Sequence, residues 1–217
     1  GRVAGVKIDR HTIRTRRGVV LACGGFPHDV ARKAGMFAHA PTGREHHSAA
    51  PDGNTGDGLV LGEQAGGEVR RDLSDAGAWA PVSLVPRPDG TVGRFPHLVE
   101  RAKPGLIAVT KDGRRFTNEA NSYHDMMGDL FRQVPPGETV EAWLVCDHGF
   151  QRRFGLGAAR PRPFPLGGMI ANGYLKRGRT IEELARACGI EPAGLAATIA
   201  AYNGPAREGR DPQLKRG

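Results

Sequence analysis

The sequence has no apolar run near the ~20 residues that a membrane helix needs, so no membrane span is expected. Cysteine is scarce: Cys23, Cys146 and Cys188 are odd in number and far apart. That excludes a disulfide framework and a paired-cysteine metal or redox motif, and points to a reducing cytoplasm. Acidic residues are outnumbered, 23 against 31 Lys and Arg, for a net charge of +8. The basic residues are scattered, however. The densest clusters, Arg14-Thr15-Arg16-Arg17 and Gln151-Arg152-Arg153, are short, and there is no lysine-rich tail, so polyanion binding gains little from charge. His46 and His47 are adjacent and cannot share one helical face. No spaced Asp, Glu or Cys completes a set around them, so no metal is expected. The chain opens Gly1-Arg2-Val3-Ala4-Gly5, with neither Met nor an apolar leader, and reads as interior sequence.

Glycine is the excess, at 32 of 217 residues, with no Gly-X-Y period. Val3, Val6 and Ile8, the polar turn Asp9-Arg10-His11 and Ile13 suggest strands. Val19-Val20-Leu21-Ala22 has the composition of a buried strand and runs into Cys23-Gly24-Gly25-Phe26. Asn54-Thr55-Gly56-Asp57-Gly58 precedes a helical pattern (Leu59, Leu61, Ala65) that stops at Gly66-Gly67, with Asp57 as the expected N-cap. The prolines at 81, 86, 88, 96 and 104 predict irregular chain over 71–105 and a domain boundary within it. Leu106–Thr110 and Ala142–Cys146 are predicted strands. Lys111-Asp112-Gly113-Arg114 is a predicted hairpin turn. A helix is predicted through Met126, Met127, Leu130 and Phe131. Thr180-Ile181-Glu182-Glu183 is a capping box for a helix ending at Gly189. Pro192 opens a last helix with Leu195, Ile199 and Tyr202 on one face. Beyond Gly204 no cap or packing signal appears.

Each glycine-rich turn alone is common. In order, with a strand before the first and a helix after the second, they say more. Val20–Phe26, Asn54–Gly58, Ala65-Gly66-Gly67 and Asp112-Gly113-Arg114-Arg115-Phe116-Thr117-Asn118-Glu119 together resemble the fumarate reductase/succinate dehydrogenase flavoprotein superfamily. Asn118–His124 and Trp143–Phe154 are most similar to its 3-ketosteroid 1-dehydrogenase branch. The resemblance implies an α/β fold, with part of a Rossmann-like FAD-binding domain (1–84) joined to an α+β substrate-capping domain (85–217). It implies FAD as cofactor and Cys23, Gly24, Gly25, Asn54, Thr55, Gly56 and Asp57 beside it. It implies Tyr123 as the base that removes a proton next to a ketone while a hydride leaves for the flavin N5. A phenol titrates near ~10, so such a base needs a relay, and His124 and His148 are the candidates. Trp79, Phe116, Glu119 and Met127 are expected to line a pocket for an apolar, steroid-like ketone.

The chain departs from that pattern in three places. Asp72–Ala80 carries neither the His nor the Arg that a dicarboxylate substrate would need. A Gly-x-Gly-x-x-Gly turn is missing, and so is the family's C-terminal segment. The expectation is an internal fragment of a longer flavoenzyme, with an inactive fragment or a fumarate-reductase-like ene reductase as the alternatives. The electron acceptor is not readable. Leu184–Ile190 with Leu195 imitates a helix-turn-helix, but Ala193–Ala200 offers no Arg, Lys, Gln or Asn to read a base edge.

Overall fold

The computed structural model describes residues 2–73 and 77–216. The chain divides into two compact units, Gly1–Ala76 and Gly77–Gly217. The break expected after residue 84 falls inside a strand of the second unit. Among the described residues all sheets are two-stranded and antiparallel, and no helix is long and apolar enough to cross a membrane.

In the first unit, β1 (Gly5–Ile8) pairs with β2 (His11–Arg14), Ile8 opposite His11. Asp9 enters the left-handed region, φ 51°, as so tight a turn requires. Val19–Ala22 forms no strand, contrary to expectation: Val20 is 90 % exposed. An apolar run becomes a buried strand only when neighbours bond its backbone and cover its faces, and no described segment does so. Helix α1 (Val30–Met36) was not anticipated, although Asp29 is its cap and accepts from Arg32 N at 2.9 Å. Helix α2 spans Asp57–Gln64. Arg32 bonds Asp29 and both carboxylate oxygens of Glu63 (3.2 and 3.0 Å), which ties α1 to α2. Buried Phe37 stacks on Phe26 and meets the rings of His39 and His46. His46 Nε2 lies 2.9 Å from His39 Nε2, so its ring partner is seven residues back and not the adjacent His47.

In the second unit, β3 (Val82–Pro86) pairs with β4 (Val92–Pro96). These strands occupy a stretch expected to be irregular. Pro86 and Pro96 are the last residues of their strands, where a missing N–H costs least. A 3-10 turn (Glu100–Ala102) leads to β5 (Leu106–Val109), buried at every residue, which pairs with β6 (Trp143–Cys146). Then come α3 (Tyr123–Phe131), α4 (His148–Phe154), α5 (Gly167–Ala171), α6 (Ile181–Cys188) and α7 (Pro192–Arg207). Ile107, Val109 and Val145 form the core with Ala185, Ile190 and Leu195, flanked by Trp143, Ile199 and Tyr202. In the capping box, Thr180 accepts from Glu183 N, and the Glu183 carboxylate reaches back to Arg179 N at 2.7 Å. Gly113, at φ +79°, packs so closely that a Cβ there would lie 2.2 Å from Leu195 N.

The chain beyond Gly204 is packed, contrary to expectation. Helix α7 continues to Arg207, and the tail then folds back onto β5. Arg115 bonds both oxygens of Glu119 (2.9 and 2.7 Å) and both of Asp211 (3.1 and 2.8 Å). Arg216 donates to Glu119 (2.6 Å), to the Leu106 carbonyl (2.7 Å) and to the Tyr202 hydroxyl. Both guanidiniums lie over the Tyr202 ring, at 5.0 and 5.5 Å. The local sequence gives no sign of the Arg115–Asp211 and Arg216–Glu119 bonds, because their partners are 96 and 97 residues apart.

Burial by itself would raise the Asp211 pKa. Hydrogen bonds from Arg115 and Leu214 N, with the charges of Arg115 and Arg216, outweigh it and hold the carboxyl below its ordinary range. Glu119→Ala strips a carboxylate from between two buried guanidiniums. It should cost about 3–5 kcal/mol, read as a lower urea midpoint. For Asp211, the folded pKa lies below the unfolded value of about 3.9. Its stabilisation is therefore complete above that pH and is lost as pH falls through the folded value. Asp211→Asn should flatten the fall of Tm below about pH 4, and an unchanged acid limb would contradict this.

Candidate functional site

The first unit brings the two glycine-rich turns together. Gly24 (φ +77°) and Gly56 (φ +90°) sit where side chains are strained. A Cβ on Gly24 would lie 2.8 Å from the Asn54 amide nitrogen, one on Gly56 3.1 Å from Phe26 Cβ, and one on Gly58 3.0 Å from Cys23 Sγ. His28 N donates to Asn54 O at 3.2 Å, which bonds one turn to the other. Cys23, Gly24, Asn54 and Gly56 are thus in one place, next to Gly25 and Thr55 in the chain. Cys23 is exposed.

Helix α2 begins at this junction. Its N-cap is Gly56, which has no side chain to donate to, and Asp57 is its first residue, contrary to expectation. The left-handed turn at Gly56 sets the entry of the chain, so Asp57 comes one position too late to cap. Among the described residues nothing accepts from the amides of Gly56, Asp57 and Gly58. These donors, with the positive end of α2, suit a phosphate or a hydroxyl. The Asp57 carboxylate accepts from Thr55 Oγ1 at 3.1 Å and keeps lone pairs for a sugar hydroxyl. Open amides, a carboxylate and close-packed glycines are a donor set that fits a sugar-phosphate cofactor.

In the second unit, Tyr123 is the first residue of α3 and 43 % exposed. Ser122 caps the helix by accepting from Asp125 N at 3.1 Å. Met126 and Leu130 face inward, and Met127 is half-buried on the same helix. Trp79 meets Phe131 edge to face at 5.5 Å, at the far end of α3. Phe116 is half-buried. His124 is half-buried on α3, while His148 starts α4 and is exposed. Among the described residues no hydrogen bond joins either histidine to Tyr123. Glu119 has no exposed surface; it accepts from Ala108 N, Arg115 and Arg216, so its oxygens are already occupied.

Arg115, Asp211 and Arg216 were missed in the sequence. Only the four-residue spacing of Arg115 and Glu119 hinted at a pair. Cys146 has its thiol pushed up to about 12, by burial and then by Asp147, which removes it as a nucleophile. Of the stretch Asp72–Ala80, Ser74 to Ala76 lie outside the described residues. Among the described residues no three His, Cys, Asp or Glu gather at a metal-binding spacing.

The chain is 38 % identical over 205 residues to 4-oxocyclohex-2-ene-1-carboxylate 5-dehydrogenase of Sinomonas cyclohexanicum, covering 94 % of this chain and 35 % of that protein. It is 36 % identical over 211 residues to 3-oxosteroid 1-dehydrogenase of Mycobacterium tuberculosis, covering 94 % and 36 %. Among solved structures, the 3-ketosteroid delta1-dehydrogenase of Sterolibacterium denitrificans, in complex with 1,4-androstadiene-3,17-dione, superposes with a TM-score of 0.76 at 29 % identity, covering 100 % of this chain and 39 % of that one. The chain thus spans little more than a third of the length of these relatives. Residues 1–216 match the FAD binding domain family. This chain therefore belongs to that family, with FAD as the cofactor.

Proposed function

We propose that this chain carries part of the cofactor cradle and the proton-removing side of an FAD-dependent dehydrogenase. The enzyme forms a carbon–carbon double bond next to the ketone of a cyclic substrate. The observation that carries this is its 36–38 % identity to two dehydrogenases of cyclic ketones across 94 % of the chain. On this reading, residues from the N-terminus to about 84 belong to the FAD-binding part and the rest to a substrate-capping part. Cys23, Gly24, Gly25 and Asn54–Asp57 hold the cofactor: the amides of α2 donate, and the Asp57 carboxylate accepts from a hydroxyl.

Bound FAD supplies a two-electron acceptor for a hydride. The part of this chain is the proton. The C–H beside a carbonyl is acidified by the ketone, and the Tyr123 hydroxyl oxygen stands at an exposed helix start where such a carbon can reach it. As a phenolate, Tyr123 takes the α-proton; the electron pair of that C–H bond becomes the new π bond, while the hydride carries its own pair away from the adjacent carbon. Trp79, Phe116 and Met127 offer apolar surface to a steroid-like ring system, and Glu119 holds the loop before Tyr123 from beneath. The ene-reductase alternative has no comparable support, since Asp72–Ala80 contains no cation for a dicarboxylate.

Gly56→Val forces a β-branched residue to φ +90°, a strain of about 1–3 kcal/mol. FAD affinity, read by flavin fluorescence titration, should fall roughly tenfold or more; unchanged affinity would remove Gly56 from the cradle. Tyr123→Phe in the FAD-loaded protein should lower kcat on a cyclic 3-ketone by about 10²–10⁴-fold. Turnover at the original rate would end the base assignment.

A further inference from the structure

The loop that delivers Tyr123 is held from several directions. Asn118 Oδ1 accepts from Ala120 N at 2.9 Å, and Asn121 N donates to Asn118 O, closing a tight turn. Asn118 Nδ2 donates to the carbonyls of Leu214 (3.1 Å) and Lys215 (3.3 Å) in the tail. Thr117 Oγ1 donates to Asp129 on α3 at 2.6 Å. The Glu119 carbonyl accepts from Arg101 at 2.6 Å, and its carboxylate accepts from Ala108 N at 2.9 Å. Four residues later the chain reaches Tyr123. Only one of the cations on Glu119 comes from the tail, and that is Arg216. Its fork spans Glu119, the β5 carbonyl of Leu106 and the Tyr202 hydroxyl at once. Arg115 still balances Glu119 if Arg216 is lost.

We propose that Arg216 is a positioning residue for Tyr123, acting through Glu119: it locks the Asn118–Ser122 loop so that α3 begins with the phenol aimed. The inference rests on the reading of Tyr123 as the base. Reacting groups must be held closely, and a displacement of about 1 Å can cost ~10²-fold. Arg216 touches no reacting atom, so its removal affects the rate and the protonation behaviour of Tyr123 more than substrate affinity.

The chain has three tyrosines, Tyr123, Tyr174 and Tyr202, so 3-fluorotyrosine labelling gives three fluorine signals, and Tyr123→Phe assigns one. In Arg216→Leu the Tyr202 signal moves by direct contact and the Tyr174 signal stays as a control. The Tyr123 signal is expected to shift or broaden. In the FAD-loaded protein kcat should fall on the order of 10- to 100-fold with KM nearly unchanged and a displaced pH profile. Arg216→Lys, which keeps a charge on Glu119, should recover part of the loss. A folded Arg216→Leu protein with an unmoved Tyr123 signal and an unchanged pH profile would overturn the proposal. If Arg216→Leu does not fold, Arg216→Gln takes its place, and an unmoved Tyr123 signal there has the same consequence. Full turnover in Tyr123→Phe would sink the base reading and leave the fluorine signal to judge positioning. An inactive Tyr123→Phe with an unmoved signal in the Arg216 variant would sink positioning alone.

Discussion

A carboxylate with no exposed surface must be answered in full by its surroundings, and Glu119 is that carboxylate. Two arginines and two carboxylates meet around it: Arg115 and Arg216 against Glu119 and Asp211, which sums to zero net charge. The Tyr202 ring lies beside both guanidiniums, where the face of a π system favours cations. Breaking such a cluster is expensive even where an apolar replacement would pack as well. Its use here is geometric: three stretches distant in sequence are brought to one point.

The cluster also closes an edge of the sheet. Strand β5 has β6 on one side only. A buried strand cannot leave its amides and carbonyls unpaired. The Glu119 carboxylate accepts from Ala108 N, and Arg216 donates to Leu106 O. Beside the Val109–Arg115 bridge, side chains thus supply what a third strand would give: Glu119 from the loop that leads to Tyr123, and Arg216 from the tail. The apolar core under α6 and α7 and the start of α3 are therefore coupled through one strand of four residues.

What could be read from the sequence was local. Thr180 with Glu183, Gly189 and Pro192 marked α6 and α7 because caps and stops act within one turn of the chain. Leu195, Ile199 and Tyr202 fell on the core as their spacing required. Helix α1 was missed although Asp29 marked its start, because a seven-residue helix shows little periodicity. Val19–Ala22 misled for the opposite reason: composition can propose a buried strand, but only neighbours make one. The tail misled most, since Asp211 and Arg216 have partners near residues 115 and 119, and charge pairing at that range leaves no periodic trace. At the two glycine-rich turns the sequence marked the turns but not their geometry. Asp57 looked like the cap of α2, and the backbone gave that position to Gly56.

That exchange has a chemical consequence. Among the described residues, α3, α6 and α7 are also eight residues or longer, and each has a side-chain cap: Ser122, Thr180 and Glu191. Only α2 of this group begins without one. A capping Asp would have satisfied one of its own amides and placed negative charge on the helix axis. With glycine at the cap, the amides stay open, and the carboxylate of Asp57 is displaced one residue along, to the flank. Phosphate oxygens and sugar hydroxyls need these two kinds of partner side by side. The start of α2 thus gives up the local stability that a side-chain cap would add, and in exchange its open amides and the Asp57 carboxylate stand side by side next to Gly24 and Gly58.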